Sequence, residues 1–244
     1  MTGEKGIRTI LAANGSPRAR KGMTDIVVRR FLAGAESAGA ESEVLYPAKL
    51  KIRPCTGCLR CWFENPGVCK QKDDMPSVAA RTAGADLGVF ASPVYVDGMT
   101  AQMKAMFDRF VAYTPPFFEY AGDRSYHPAP PRKGKVVVIS TCGFPERKHF
   151  DPIALHFRRI CENMHAELLG EFYFPAASLL ASEPERVEPN LEAVFAAGRE
   201  VVEAGAISEA TLREANADYV KDPRAVGEQI NEIFRAVRKY HGVE

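Results

Sequence analysis

Four cysteines fall in one short stretch, Cys55-Thr-Gly-Cys58-Leu-Arg-Cys61 and then Cys69, a Cys-x2-Cys-x2-Cys-x7-Cys spacing. Three thiolates at three-residue steps can wrap a loop around one compact centre, and a fourth closes it a short distance along the chain. Iron–sulfur clusters are held by four thiolates, and a repeated Cys-x2 step is the habit of bacterial ferredoxins. Zinc sites more often pair two separate Cys-x2-Cys knuckles. The spacing therefore points to a Fe4S4 cluster at Cys55, Cys58, Cys61 and Cys69, with zinc, a reactive dithiol or plain free thiols as the alternatives. The last gap is longer than in the ferredoxin run, and Pro54 precedes the first cysteine instead of following the last.

A second stretch is built for an anion. Asn14-Gly-Ser16-Pro-Arg18-Ala-Arg20-Lys21-Gly22-Met23-Thr24 follows an apolar run, Ile7–Ala13, and leads into a helical pattern starting near Thr24. A strand, a loop of small residues and a helix start present free backbone N–H groups and the positive end of a helix dipole to a ligand. Ser16 and Thr24 add hydroxyls, and Arg18 adds a guanidinium for phosphate oxygens. A triphosphate loop needs Gly-x4-Gly-Lys-Ser/Thr and a dinucleotide loop needs Gly-x-Gly-x2-Gly; neither is present. A phosphate monoester, such as that of FMN, fits the stretch. Arg20 and Lys21 read as a solvated basic patch.

Two further loops follow apolar runs. Ser92-Pro93-Val94-Tyr95-Val96-Asp97-Gly98-Met99 offers backbone amides for a polar ring edge and apolar surface from Tyr95 and Met99. Thr141-Cys142-Gly143-Phe144 offers another wall. The histidines carry no such pattern: His149 and His156 stand two turns apart without a ligand set and read as satisfied side chains.

The elements that must position these loops alternate strand and helix. Strands are predicted at Ile7–Ala13, Glu43–Tyr46, Leu87–Ser92, Lys135–Ser140 and Leu169–Phe174, with helices at about 24–38, 73–83, 100–112 and 152–166. This is the pattern of a parallel sheet covered on both faces, and the last seventy residues read as helical. Met99, Met103, Met106, Phe107 and Phe110 share one helical face and read as core. Doubly wound sheets bind ligands outside the carboxyl ends of their strands, and every unusual stretch here follows a strand.

Composition narrows the partners. With 32 basic against 31 acidic side chains the net charge is +1, which gives no electrostatic case for nucleic acid or an anionic membrane. No apolar run has the length of a membrane span, and Met-Thr-Gly-Glu-Lys-Gly-Ile-Arg has no apolar signal core. A cytoplasmic location is expected, where six cysteines suggest metal or redox chemistry more than disulfides.

Taken together, Asn14-Gly-Ser-Pro-Arg18, the Cys55–Cys69 cluster ending near Asp73-Asp74-Met75, Ser92-Pro-Val-Tyr95, and Met99-Thr-Ala-Gln-Met-Lys104 with Asp108-Arg109 resemble the NADPH-dependent FMN reductase superfamily. Within it, the chain is most similar to the iron-sulfur flavoproteins over about residues 7–174. The resemblance implies a three-layer α/β/α flavodoxin-like fold, a doubly wound five-stranded parallel sheet. It implies an FMN-binding domain over residues 1–176, with a cysteine-rich insertion at about 49–72, and a C-terminal helical extension over 177–244. It places the FMN phosphate at Ser16, Arg18, Gly22, Met23 and Thr24. The flavin ring would lie against Pro93, Val94, Tyr95, Val96, Gly98, Met99, Cys142, Gly143 and Phe144, with the cluster at the four cysteines and assembly into homodimers or homotetramers. The expected activity is an FMN-dependent oxidoreductase moving electrons between NAD(P)H, or a reduced carrier such as ferredoxin, and a small acceptor. The flavin does that chemistry, so no side chain is expected as catalytic acid or base. Alternative readings are an NAD(P)H-dependent FMN or quinone reductase without a functional cluster, and a flavodoxin-like protein that senses redox state through its cysteines.

Overall fold

The computed structural model describes residues 6–243; the residues 1–5 read above for a leader lie outside them. Strand β1 (Thr9–Asn14) is buried along all but its first residue, and β2 (Glu41–Leu45) and β3 (Leu87–Pro93) flank it in parallel. A hairpin, β4 (Glu119–Ala121) and β5 (Arg124–Tyr126), stands apart. β6 (Lys135–Thr141) and β7 (Glu167–Phe174) complete the main sheet, which runs β2-β1-β3-β6-β7 with every pairing parallel. All five strands therefore present their carboxyl ends at one rim.

Helices α1 (Met23–Ser37) and α7 (Pro184–Ala204) cover one face, burying Val27, Val28, Phe31, Leu191, Val194 and Ala197. Helices α3 (Met75–Gly84), α4 (Ala101–Arg109) and α5 (Asp151–Asn163) cover the other with Met75, Val78, Met103, Met106, Ile153 and Phe157. The methionines predicted as core are buried there. A short α2 (Arg60–Phe63) lies inside the cysteine segment, and α6 (Leu179–Ser182), α8 (Glu209–Ala215) and α9 (Pro223–Tyr240) complete the helical C-terminal region. Helices α1 and α7 meet backbone to backbone: a Cβ at Gly34 would stand 1.9 Å from the Phe195 carbonyl oxygen, and one at Gly198 1.9 Å from that of Phe31. Only glycine at both positions permits that approach.

Three boundaries differ from the sequence reading for visible reasons. β1 begins at Thr9 because the Asp86 carboxylate takes the Arg8 and Thr9 N–H groups at 3.0 and 2.9 Å. The helix expected to reach residue 112 leaves α geometry after Arg109 and tightens into a 3-10 turn, Phe110–Tyr113, whose Val111 carbonyl accepts from the Trp62 indole at 2.9 Å. The segment 114–132, expected as loop, holds the β4–β5 hairpin, turned by Gly122 at φ +62.

Candidate functional site

The loop after β1 is held from beneath. Gly15 N–H donates to the Ala91 carbonyl at 2.7 Å, and Ser16 N–H donates to Asn14 Oδ1 at 3.0 Å. Asn14 in turn donates to Asp25 at 3.1 Å, which ties the strand end to the first turn of α1. Beyond a 3-10 turn at Ala19–Lys21, Gly22 is the N-cap of α1 and supplies no side-chain cap. The first N–H groups of a helix have no intrahelical acceptor, so this end faces the loop with its donors uncommitted to the helix. The Ser16 hydroxyl sits over Gly22 so closely that a Cβ there would be 2.3 Å from it. Ser16, Gly22 and Thr24 are buried, Met23 is half-buried and Arg18 is exposed. The sequence-predicted phosphate residues are thus brought together around one helix N-terminus.

The loop after β3 forms a tight hairpin. Tyr95 and Gly98 exchange hydrogen bonds at 2.9 and 3.2 Å, with Val96 at φ +47 and Asp97 at φ +60. A β-branched residue at positive φ is a strained arrangement, and such strain gathers where a backbone is held for function. Pro93, Val94 and Gly98 are half-buried, Met99 is buried, and the Val96 side chain is fully exposed beside a half-exposed Tyr95. After β6, Cys142 is buried, and burial pushes its thiol up, which suits an inert wall. Gly143 and Phe144 are exposed, and Phe144 stacks on His149 with ring centroids 4.3 Å apart. His149 stands in a 3-10 turn, Arg147–Phe150, that precedes α5 and left no periodic signal in the sequence.

Hydrogen bonds join the three loops. The Thr100 hydroxyl, at the N-cap of α4, donates to the Gly15 carbonyl at 2.6 Å. Val94 N–H donates to the Thr141 carbonyl at 2.8 Å, and the Thr24 and Thr141 hydroxyls lie 2.8 Å apart.

The four clustered cysteines line one cleft, together with Arg109, Val111 and Ala112 at the end of α4. Cys55 and Cys58 are exposed, Cys69 is half-buried and Cys61 is buried. Leu59 at φ +54 and Gly57 at φ +62 curl the segment that lines the cleft. The Arg60 backbone N–H and the Thr56 hydroxyl hold the Cys58 thiol below its ordinary value; burial and the charges of the other three sulfurs push Cys61 up. Among the described residues no three His, Cys, Asp or Glu side chains are arranged to hold a single metal ion. A cluster gives each thiolate a different iron, so four thiols around a common cleft fit it better than one ion that all must reach.

Arg109 and Asp73 anchor this cleft, and sequence reasoning had quoted both only as parts of a motif. Their side chains are 1% and 2% exposed and pair at 2.6 and 3.1 Å. Asp73 also accepts the Arg53 and Met75 N–H groups, and Arg109 donates to the Arg53 carbonyl at 2.9 Å, so both edges of the cysteine segment are fixed. Helix α4 links the two regions. Thr100 at its start touches the anion loop and Arg109 at its end lines the cleft, about 13 Å apart at a helical rise of about 1.5 Å per residue.

The family model for NADPH-dependent FMN reductase matches residues 8–178. An iron-sulfur flavoprotein of Archaeoglobus fulgidus is 35% identical over 136 residues, 54% of each chain. An iron-sulfur flavoprotein of Methanocaldococcus jannaschii is 35% identical over 100 residues, 41% of this chain and 50% of that one. The chain thus spans about half the length of the curated relatives it matches. Among solved structures, an NAD(P)H:quinone oxidoreductase from Methanothermobacter marburgensis superposes with a TM-score of 0.59 at 20% identity. That match covers 81% of this chain and 98% of the other, and supports the fold. No helix among the described residues is long and apolar enough to cross a membrane.

Proposed function

This chain belongs to the NADPH-dependent FMN reductase family, and on that premise we propose that it is a flavin-dependent oxidoreductase of the iron-sulfur flavoprotein kind. It binds FMN at the strand rim and a Fe4S4 cluster at Cys55, Cys58, Cys61 and Cys69. Electrons pass between NAD(P)H, or a reduced carrier such as ferredoxin, and a small acceptor. One observation carries the reading: the four cysteines line one cleft at the end of the helix whose start closes the anion loop.

The chain's own residues have defined tasks. The N–H groups at Met23 and Thr24 and the Ser16 hydroxyl receive the FMN phosphate, with Arg18 reaching in from the surface; Gly22, whose own N–H donates to the Ala19 carbonyl at 3.0 Å, contributes the close approach to Ser16. The Thr24 hydroxyl is engaged with Thr141, so Thr24 contributes its backbone and the rigidity of the helix start. The hairpin from Pro93 to Met99 and the Cys142–Phe144 turn hold the ring between backbone amides and apolar surface. When bound, the flavin takes two electrons and passes them singly, and the cluster carries them one at a time. No side chain is required as acid or base. Self-association into dimers or tetramers is supported by α9, which leaves Ile233, Phe234 and Val237 half-exposed or more.

Anaerobic purification with flavin, iron, sulfide and zinc analysis tests the reading. Flavin bands over broad brown absorbance, with iron and labile sulfide, are expected. Flavin without iron, bleached by NAD(P)H, would instead make the chain a plain FMN or quinone reductase.

A further inference from the structure

Among the described residues, Arg109 Nε is the one buried side-chain nitrogen or oxygen without a hydrogen-bond partner. Three of the four N–H groups on its Nη atoms are engaged. Nη1 donates to Asp73 at 2.6 Å and to the Arg53 carbonyl at 2.9 Å, and Nη2 donates to Asp73 at 3.1 Å. Arg109 cannot swing away to satisfy Nε elsewhere, because its side chain is 1% exposed and clamped along its outer edge. A buried donor left unmade is costly and calls for an explanation.

The surroundings supply one. Arg109 forms part of the wall of the cleft lined by Cys55, Cys58, Cys61 and Cys69. Burial works against its charge, and the ion pair with Asp73 at 2.6 Å offsets that cost. Cys69 is the cysteine set apart by the long gap, and it lies on the far side of Gly67, at φ +80, from the other three.

We propose that Arg109 tunes the metal centre, its Nε–H donating to the Cys69 sulfur once that sulfur is a metal-bound thiolate. This rests on the cluster reading above. The thiolate becomes a charge-assisted acceptor for a donor that has no other partner, and hydrogen bonds to cluster sulfurs stabilise the more negative, reduced form. Asp73 sets the orientation of the fork, and α4 carries that orientation to the anion loop.

The full chain, purified anaerobically, is first assayed for iron and sulfide. Protein labelled with 15N at arginine Nε is then reduced and studied by pulsed electron paramagnetic resonance. A 15N coupling to the reduced cluster is expected, and it should vanish in Arg109→Lys, which keeps the charge facing Asp73. In that variant the reduction equilibrium should become about tenfold less favourable, a potential lower by about 59 mV for one electron. Full iron and sulfide without the coupling, or with an unmoved potential in the variant, overturns the role of Arg109 and leaves the cluster standing. Absence of iron and sulfide overturns both. Should Arg109→Lys not fold, the coupling in the unaltered protein decides alone.

Discussion

The hydroxyls of Thr24 and Thr141 lie 2.8 Å apart, both residues buried, and so fasten the first turn of α1 to the last residue of β6. That bond joins the two loops assigned to opposite ends of one ligand. Thr141→Val keeps the shape and removes one partner, leaving the Thr24 hydroxyl buried and unpaired. Chemical denaturation should show a loss of about 1–3 kcal/mol, and flavin titration a weaker affinity. An unchanged affinity would separate the bond from ligand binding.

Gly22→Ala tests the anion loop. The backbone at φ −87 accepts alanine, but the new Cβ would stand 2.3 Å from Ser16 Oγ. The hydroxyl must turn away, so FMN affinity should fall at least tenfold, about 1.4 kcal/mol, while the circular dichroism spectrum keeps its form. Binding at the original strength would remove Ser16 from the phosphate site.

The parallel sheet and its loop order were legible because alternating apolar runs and helical periods survive in any sequence that must bury both faces of a sheet. The gathering of the proposed phosphate residues was legible because a helix start acts through consecutive positions, Gly22 to Thr24. What escaped was side-chain contact that no helical or strand period encodes. Trp62 reaching Val111, Phe144 meeting His149 and Asp73 gripping Arg109 leave no periodic trace. Nor did Val96 signal its positive φ, since the tight turn it joins is one that Asn or Gly would have announced.

Cys58→Ala should remove the brown absorbance together with iron and sulfide while FMN stays bound, because Cys58 is exposed and supports no core. Metal analysis and the flavin spectrum read the two effects separately. Iron content equal to that of the unaltered protein would take Cys58 out of the ligand set.

Asp73 should give the protein an acid limit. Burial alone would raise its carboxyl, but Arg109 and the N–H groups of Arg53 and Met75 overcome that and hold it below the ordinary value. A lowered folded value means the stabilisation is complete above the unfolded pKa of about 3.9 and is lost as pH falls through the folded one. Denaturation at pH 7 should show Asp73→Asn less stable by about 3–5 kcal/mol, the cost of a buried cation without its partner. The variant should also lose this part of the decline below about pH 4.

Replacing Val96-Asp97 by Asn-Gly should relieve the hairpin. Both positions need positive φ, which that pair adopts readily. Relief of about 1–2 kcal/mol should raise the melting temperature of the unliganded chain by about 2–8 °C. A lower melting temperature would mean that the valine side chain, fully exposed here, has a partner that offsets its strain.

The paired glycines where α1 crosses α7 carry a consequence for synthesis. Phe31 and Ala35 complete their cover only when residues around Phe195 and Gly198 have been made, some 160 positions downstream. The nascent chain emits its first helix early and completes its packing only when most of the polypeptide has left the ribosome. The full cover of that helix is therefore gained late, and a chain cut short by a stalled ribosome would present its uncovered apolar face to chaperones.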